Sequence, residues 1–187
     1  MSQHFVCCFA YLFVFACTQV QASCYKEAAE RYRVPEELLR AVAHVESGGL
    51  PAHKAFNTNK DGTQDMGRMQ INSGWLPTLK KYRITKEDLL NECTSINVGA
   101  WIMANNVNAL GLSWDAVGAY NVGCKKLSRD ECEKRRNRYA WKVYRALNRK
   151  PGKSEVDRTE MVAGPYMNQA QKTQMQAKAQ IGTVSFE

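Results

Sequence analysis

The chain has 187 residues, 44% of them hydrophobic, which allows one domain with a buried core and a segment left over but excludes an array of several domains. Its formal net charge is +8, which suits an anionic partner without choosing among nucleic acid, cell wall and membrane surface.

Residues 1–22 begin with Met1-Ser2-Gln3-His4 and continue into an uncharged apolar run from Phe5 to Cys17. Val20-Gln21-Ala22 follows, small at its last place, so cleavage by a signal peptidase is expected before Ser23. The run is short for a membrane span, and no stable span is expected once the leader is removed. A lipid on Cys24 is disfavoured, because Gln21 stands where a lipobox needs an aliphatic residue. Export to the periplasm is the expectation, with a buried helix as the rival reading. Loss of the leader removes Cys7, Cys8 and Cys17 and no charge. Cys24, Cys93, Cys124 and Cys132 remain, an even set that reads as two disulfides with three possible connectivities. Cys124 and Cys132 are close enough to clip a local loop, and Cys24 would then tie to Cys93. A zinc site competes, but no pair has CxxC spacing and only His44 and His53 could assist.

Cys24 to Tyr32 reads as a short helix that Arg33-Val34-Pro35 ends. A second helix follows, with Pro35 as its first residue and Glu36 and Glu37 in the first turn. Leu38, Leu39, Val42 and Val45 form a core-facing stripe, and Glu46 continues it four residues after Val42. Gly48-Gly49 stops this helix. A carboxylate there is desolvated and close to the negative helix end, both of which raise its pKa toward that of a general acid. On position alone, a structural Glu paired with an Arg explains the residue equally well.

From Gly48 to Gly67 the composition turns to Gly, Pro, Asn, Asp and Thr, a long irregular segment of the kind that tends to be functional. Met66 to Asn72 fits either one strand of a small hairpin or a bent loop. Ser73 to Leu79 leads into a short helix, and Thr85-Lys86-Glu87-Asp88 resembles a helix start. Thr94-Ser95 to Asn106 is a helix whose Gly99 and Ala100 permit close packing. Ser113 to Asn121 is another, stopped near Gly123, and Asp130 to Asn148 is the last, with Tyr139, Val143, Ala146 and Leu147 inward. Nothing alternates clearly as a strand. The expected fold is all-α, or α with a minimal β-hairpin, over residues 23–149. Residues 151–187 lose the apolar period and read as a low-complexity flexible tail.

Polar residues collect among apolar ones at Gln70 and Asn72, Tyr120 and Asn121, and Tyr139 and Tyr144. Neutral hydrogen-bonding groups with aromatic faces suit a sugar cleft, although each taken singly has a structural explanation. In order and spacing, Glu46-Ser47-Gly48, Gly67-Arg68-Met69-Gln70-Ile71-Asn72, Ala119-Tyr120-Asn121 and the Tyr139–Tyr144 segment resemble the soluble lytic transglycosylase domain related to goose-type lysozyme. The similarity is greatest to small exported members that accompany conjugation, pilus, type III and type IV secretion machines. It implies a lysozyme-like fold, peptidoglycan glycan strands as substrate, and components of a trans-envelope apparatus as partners. It calls for no metal and no organic cofactor.

The resemblance makes Glu46 the single catalytic acid and base, with Ser47 hydrogen-bonding nearby. It places Met69 at the cleft wall, gives glycan contacts to Gln70 and Asn72, and makes Tyr120 and Asn121 position Glu46 and the muramoyl sugar. Tyr139 is the late tyrosine whose hydroxyl reaches the carboxylate. Arg68 stands where many relatives are apolar, and its side chain is expected in solvent. One carboxylate suffices for the implied reaction: Glu46 protonates the leaving oxygen, then takes the proton of the sugar's own C6 hydroxyl, while the acetamide assists at the anomeric carbon. The product carries a 1,6-anhydromuramoyl end. Asp61 and Asp65 are the candidates for a second carboxylate, and if one of them positioned a water the enzyme would be a hydrolase, which the resemblance disfavours. The basic last helix lacks interleaved base-stacking aromatics, so nucleic acid is not an expected partner.

Overall fold

A computed structural model describes residues 24–149. The expected leader and tail lie outside them. The described chain is predominantly helical, with one small antiparallel sheet. It divides into two compact units, and the boundary after Trp101 falls within a helix.

In the first unit, α1 (residues 24–32) ends on Arg33, which adopts φ 53° while Val34 N–H reaches back to Ala29 O at 3.1 Å. This closure places Pro35 outside α2 (Glu36–Ser47), as its cap with ψ 132°, and not as its first residue. A 3₁₀ turn, Ala52–Lys54, leads into β1 (Phe56–Thr58), β2 (Gln64–Met66) and β3 (Ile71–Asn72), ordered β1-β2-β3. The segment expected to be irregular is therefore most of a sheet. Its strands are too short, and β1 too exposed throughout, for a two-residue period to emerge in the sequence. Ser73–Trp75 and Lys80–Tyr82 are 3₁₀ turns flanking the single-turn α3 (Leu76–Leu79). The Thr85 start signal delivers only the 3₁₀ turn Asp88–Leu90.

The long helix α4 (Glu92–Leu110) extends beyond the expected span at both ends. Leu39, Val42, Met66, Met69, Ile71, Leu79, Leu89 and, within α4, Ile96 are fully buried in the core of this unit. Gly99 permits a close contact: a Cβ there would stand 2.7 Å from the Met69 side chain. The Cys24–Cys93 disulfide fastens α1 to the start of α4.

The second unit is built on α5 (Trp114–Asn121) and α6 (Arg129–Leu147), capped by the Ser113 and Ser128 hydroxyls. Gly118 lets their backbones close, since a Cβ there would meet Arg136 O at 2.7 Å. Arg136 pairs with Asp115 at 2.9 Å and donates to Val122 O at 3.2 Å, while Cys124–Cys132 clips the connecting loop to α6. With all four cysteines of the described residues in disulfides, the zinc alternative loses its thiolates.

Candidate active site

Glu46 lies next to last in α2, half-buried, where the apolar face runs out. Leu38, Leu39, Ala41, Val42 and Ala43 hold the helix in the core, whereas Val45, expected in the stripe, is only half-buried. Gly48 stops the helix at φ 60° with its N–H on His44 O at 2.9 Å, and Gly49 follows at φ 90°. A Cβ on either glycine would meet nothing within 4 Å, so the chain leaves Glu46 through open space. Ser47 is buried and donates its hydroxyl to Ala43 O at 2.9 Å, a bond within its own helix. That contact fixes the helix end carrying Glu46.

The turn between β2 and β3 is made of motif residues. Gly67 takes φ 75°, and a Cβ on it would stand 2.0 Å from Leu89 O, so no larger residue fits without moving that backbone. Gln70 also takes positive φ, 47°, and closes the turn with its N–H on Gly67 O at 3.0 Å. Its side-chain amide donates to Ala55 O and Gly67 O, each at 3.0 Å, which fixes its orientation and leaves Oε1 as the group able to meet a ligand. Met69, expected at a cleft wall, is fully buried against Gly99, with its N–H on the buried Ser95 hydroxyl. Ser95 was not singled out by sequence; its spacing of four from Gly99 on one helix is the signal that could have found it.

Asn72 is tied down internally. Its amide donates to Asp65 Oδ1 at 2.8 Å and Thr63 Oγ1 at 3.1 Å, and its Oδ1 accepts from Gly74 N–H at 2.9 Å. Asp65 also accepts from Asn59 Nδ2 at 2.8 Å. Asp61 accepts from the Thr63 hydroxyl and N–H, and these bonds hold its carboxyl below the usual range. Both candidates for a second carboxylate are thus occupied in shaping the hairpin.

Arg68 does not point to solvent. Its guanidinium lies 3.2 Å from Glu92 Oε1, and each of these side chains is 17% exposed. It also donates to the Tyr25 hydroxyl at 3.1 Å and to Leu50 O at 2.8 Å. Glu92 Oε2 accepts from Ala52 N–H at 2.9 Å, and the Arg40 guanidinium covers the Tyr25 ring at 4.4 Å. Burial pushes the Tyr25 hydroxyl up, against the pull of Arg68. Arg68→Ala leaves the Glu92 carboxylate largely buried without its cation and is expected to destabilise the protein by about 3 kcal/mol in chemical unfolding. Combining it with Glu92→Gln is expected to cost less than the two single changes added together.

In the second unit Tyr120 and Tyr139 stack at 6.4 Å between ring centroids with 15° between planes. Tyr139 is buried, Tyr120 half-buried and Asn121 exposed at the end of α5. Trp114 and Trp141 flank Tyr144 at 5.7 and 5.1 Å, so Tyr144 belongs to a separate aromatic group. The site residues therefore fall into two groups, Glu46, Ser47, Met69, Gln70 and Asn72 in the first unit and Tyr120, Asn121 and Tyr139 in the second.

The family described as Transglycosylase SLT domain matches residues 23–142. The chain belongs to this family. Among similar proteins, Invasion protein IagB of Salmonella typhi is 40% identical over 127 residues, covering 67% of this chain and 78% of that protein. Protein IpgF of Shigella flexneri is 36% identical over 126 residues, covering 67% and 79%. A peptidoglycan-binding-like protein of Escherichia coli O157:H7 is 34% identical over 129 residues, covering 66% and 75%. Among the described residues of this SLT chain, no helix is long and apolar enough to cross a membrane.

Proposed function

We propose that this protein is an exported peptidoglycan lytic transglycosylase. It cleaves the β-1,4 bond between N-acetylmuramoyl and N-acetylglucosamine residues, leaves 1,6-anhydromuramoyl ends, and opens the periplasmic wall locally for a secretion, conjugation or pilus machine. The observation that carries the reaction type is the commitment of Asp61 and Asp65 to the hairpin, which leaves Glu46 as the site's carboxylate. A single group that is acid and then base can take the proton of the substrate's own C6 hydroxyl, a step that calls for no second carboxylate. Ser47 holds the helix end and the Gln70 amide is pre-set for a sugar hydroxyl or acetamide, while in the second unit the half-buried Tyr120, backed by Tyr139, carries the aromatic contact. Support for export comes from a family match that begins at residue 23, where the leader was expected to end. Support for a role beside a trans-envelope machine comes from a relative named as an invasion protein.

Digestion of purified peptidoglycan followed by mass analysis is expected to give muropeptides lighter by one water than the corresponding reducing ends. Reducing ends without anhydro sugars would establish a goose-lysozyme-like hydrolase instead. The relative named as peptidoglycan-binding-like favours a second reading, a wall-binding assembly protein without catalysis. Retention on peptidoglycan with no soluble product would establish that one.

A further inference from the structure

Three residues of α4 at helical spacing, Glu92, Ser95 and Gly99, meet two consecutive residues of the turn between β2 and β3. Glu92 pairs with the Arg68 guanidinium at 3.2 Å, the Ser95 hydroxyl accepts from Met69 N–H at 3.0 Å, and the Met69 side chain packs on Gly99. These contacts do not hold the turn equally. The Arg68 pair is partly open to solvent and grips the far end of a long side chain. Gly99 offers room and no polar contact. Ser95 is completely buried and holds the main chain itself. Its hydroxyl also lies beneath the start of the turn, 2.6 Å from where a Cβ on Gly67 would stand.

Gln70 needs such a hold. Its φ of 47° lies in the left-handed region, which a residue with a Cβ adopts at a cost. The bonds from its amide to Ala55 O and Gly67 O orient the side chain within the hairpin but do not fasten the turn to α4. That fastening comes from the residue before it. With Met69 N–H on Ser95 and Gln70 N–H on Gly67 O, neither peptide unit leading into Gln70 is free to rotate. Loss of the Ser95 acceptor would leave a buried N–H without a partner, and the turn relieves that by rotating the peptide toward another acceptor. The positive φ of Gln70 is then released, and Oε1 swings away. We propose that Ser95 is a positioning residue for glycan binding, its buried hydroxyl keeping Gln70 left-handed so that Oε1 faces the sugar. The inference rests on the reading of Gln70 as a glycan contact, but it concerns binding and is tested separately from turnover.

The test is a double-mutant cycle in the full chain carrying Glu46→Gln, which prevents turnover, with uncrosslinked glycan strands as the ligand. Ser95→Ala is expected to weaken binding about fivefold and Gln70→Ala about tenfold. The double variant is expected to bind no more weakly than Gln70→Ala alone, because the serine acts through that side chain. A serine that only stabilised the fold would act whatever stands at position 70. A further loss of about fivefold in the double variant therefore overturns the proposal, as does an affinity of Ser95→Ala equal to the parent's. Amide hydrogen exchange needs no substitution at Ser95 and decides the matter where Ser95→Ala does not fold. Met69 N–H is expected to exchange through global unfolding, about a thousandfold or more slower than the amide of the exposed Lys60 in the β1–β2 connection. Comparable rates at the two positions overturn the proposal. Failure of the transglycosylase reading would look different: no anhydro products from the unsubstituted protein, with the binding cycle intact.

Discussion

Glu46→Gln is expected to lower peptidoglycan turnover by about three orders of magnitude while leaving the fold intact, because one side chain is asked for both proton transfers. Zymography against the unsubstituted protein gives the first reading, and release of soluble muropeptides gives the rate. The amide keeps the size and half-buried position of the carboxyl but can neither donate an acidic proton nor accept one. The Ser47–Ala43 bond and the Gly48 stop lie outside the substituted group, so the helix end is retained. Asp61→Asn and Asp65→Asn supply the contrast. If either of them, and not Glu46→Gln, removes activity, the acid lies on the hairpin and the one-carboxylate scheme is wrong.

Much of the helical frame was legible because its signals are local. Glu36 and Glu37 open α2 and Gly48 closes it; Ser113 caps α5; Gly99 marks the place where a second backbone or side chain must approach. Of the sheet, only a minimal hairpin strand within Met66 to Asn72 was legible as one alternative, and the rest was not, for a reason equally local. Its strands hold three, three and two residues, fewer than an alternation needs, and their register is fixed by turns and side chains. Asn59 and Thr63 in the β1–β2 connection, Asp65 in β2 and Asn72 in β3 form one hydrogen-bonded set, which no linear spacing announces. The disulfide pairing was half legible, since the short interval from Cys124 to Cys132 suggests the local clip and leaves Cys24 for Cys93.

The site itself divides by kind of information. Motif order nominated Glu46, Gln70 and Tyr120 as candidates, but it could not distinguish residues free to face a ligand from residues that hold others in place. Met69, Ser47 and Asn72 are in the motifs, yet the first is fully buried and the other two make internal hydrogen bonds that build the helix end and the hairpin. Arg68 was misjudged because a charged residue in a polar turn defaults to solvent. Its partner Glu92 is 24 positions away and is brought near only through the fold. A mostly buried ion pair of that separation is invisible to any window along the chain.

Replacing Cys24 and Cys93 together by Ser is expected to cost about 4 kcal/mol, as a cross-link across 69 residues removes that much freedom from the unfolded chain. Replacing Cys124 and Cys132 is expected to cost about 2.5 kcal/mol, the separation there being only 8 residues. Urea unfolding of the two double variants, beside the oxidised parent, measures both figures. The larger loss has a second consequence that chain entropy alone does not predict. Tyr25 and Glu92 are the immediate neighbours of Cys24 and Cys93, and both contact Arg68 in the turn that presents Gln70. Cutting this disulfide therefore loosens the Arg68 cluster, and turnover below the unfolding transition is expected to fall along with stability. Arg68→Ala in the disulfide-free background is then expected to cost less than it does in the parent, because the cluster it disrupts is already slack. Strict additivity of the two changes would show that the disulfide acts on the unfolded chain alone.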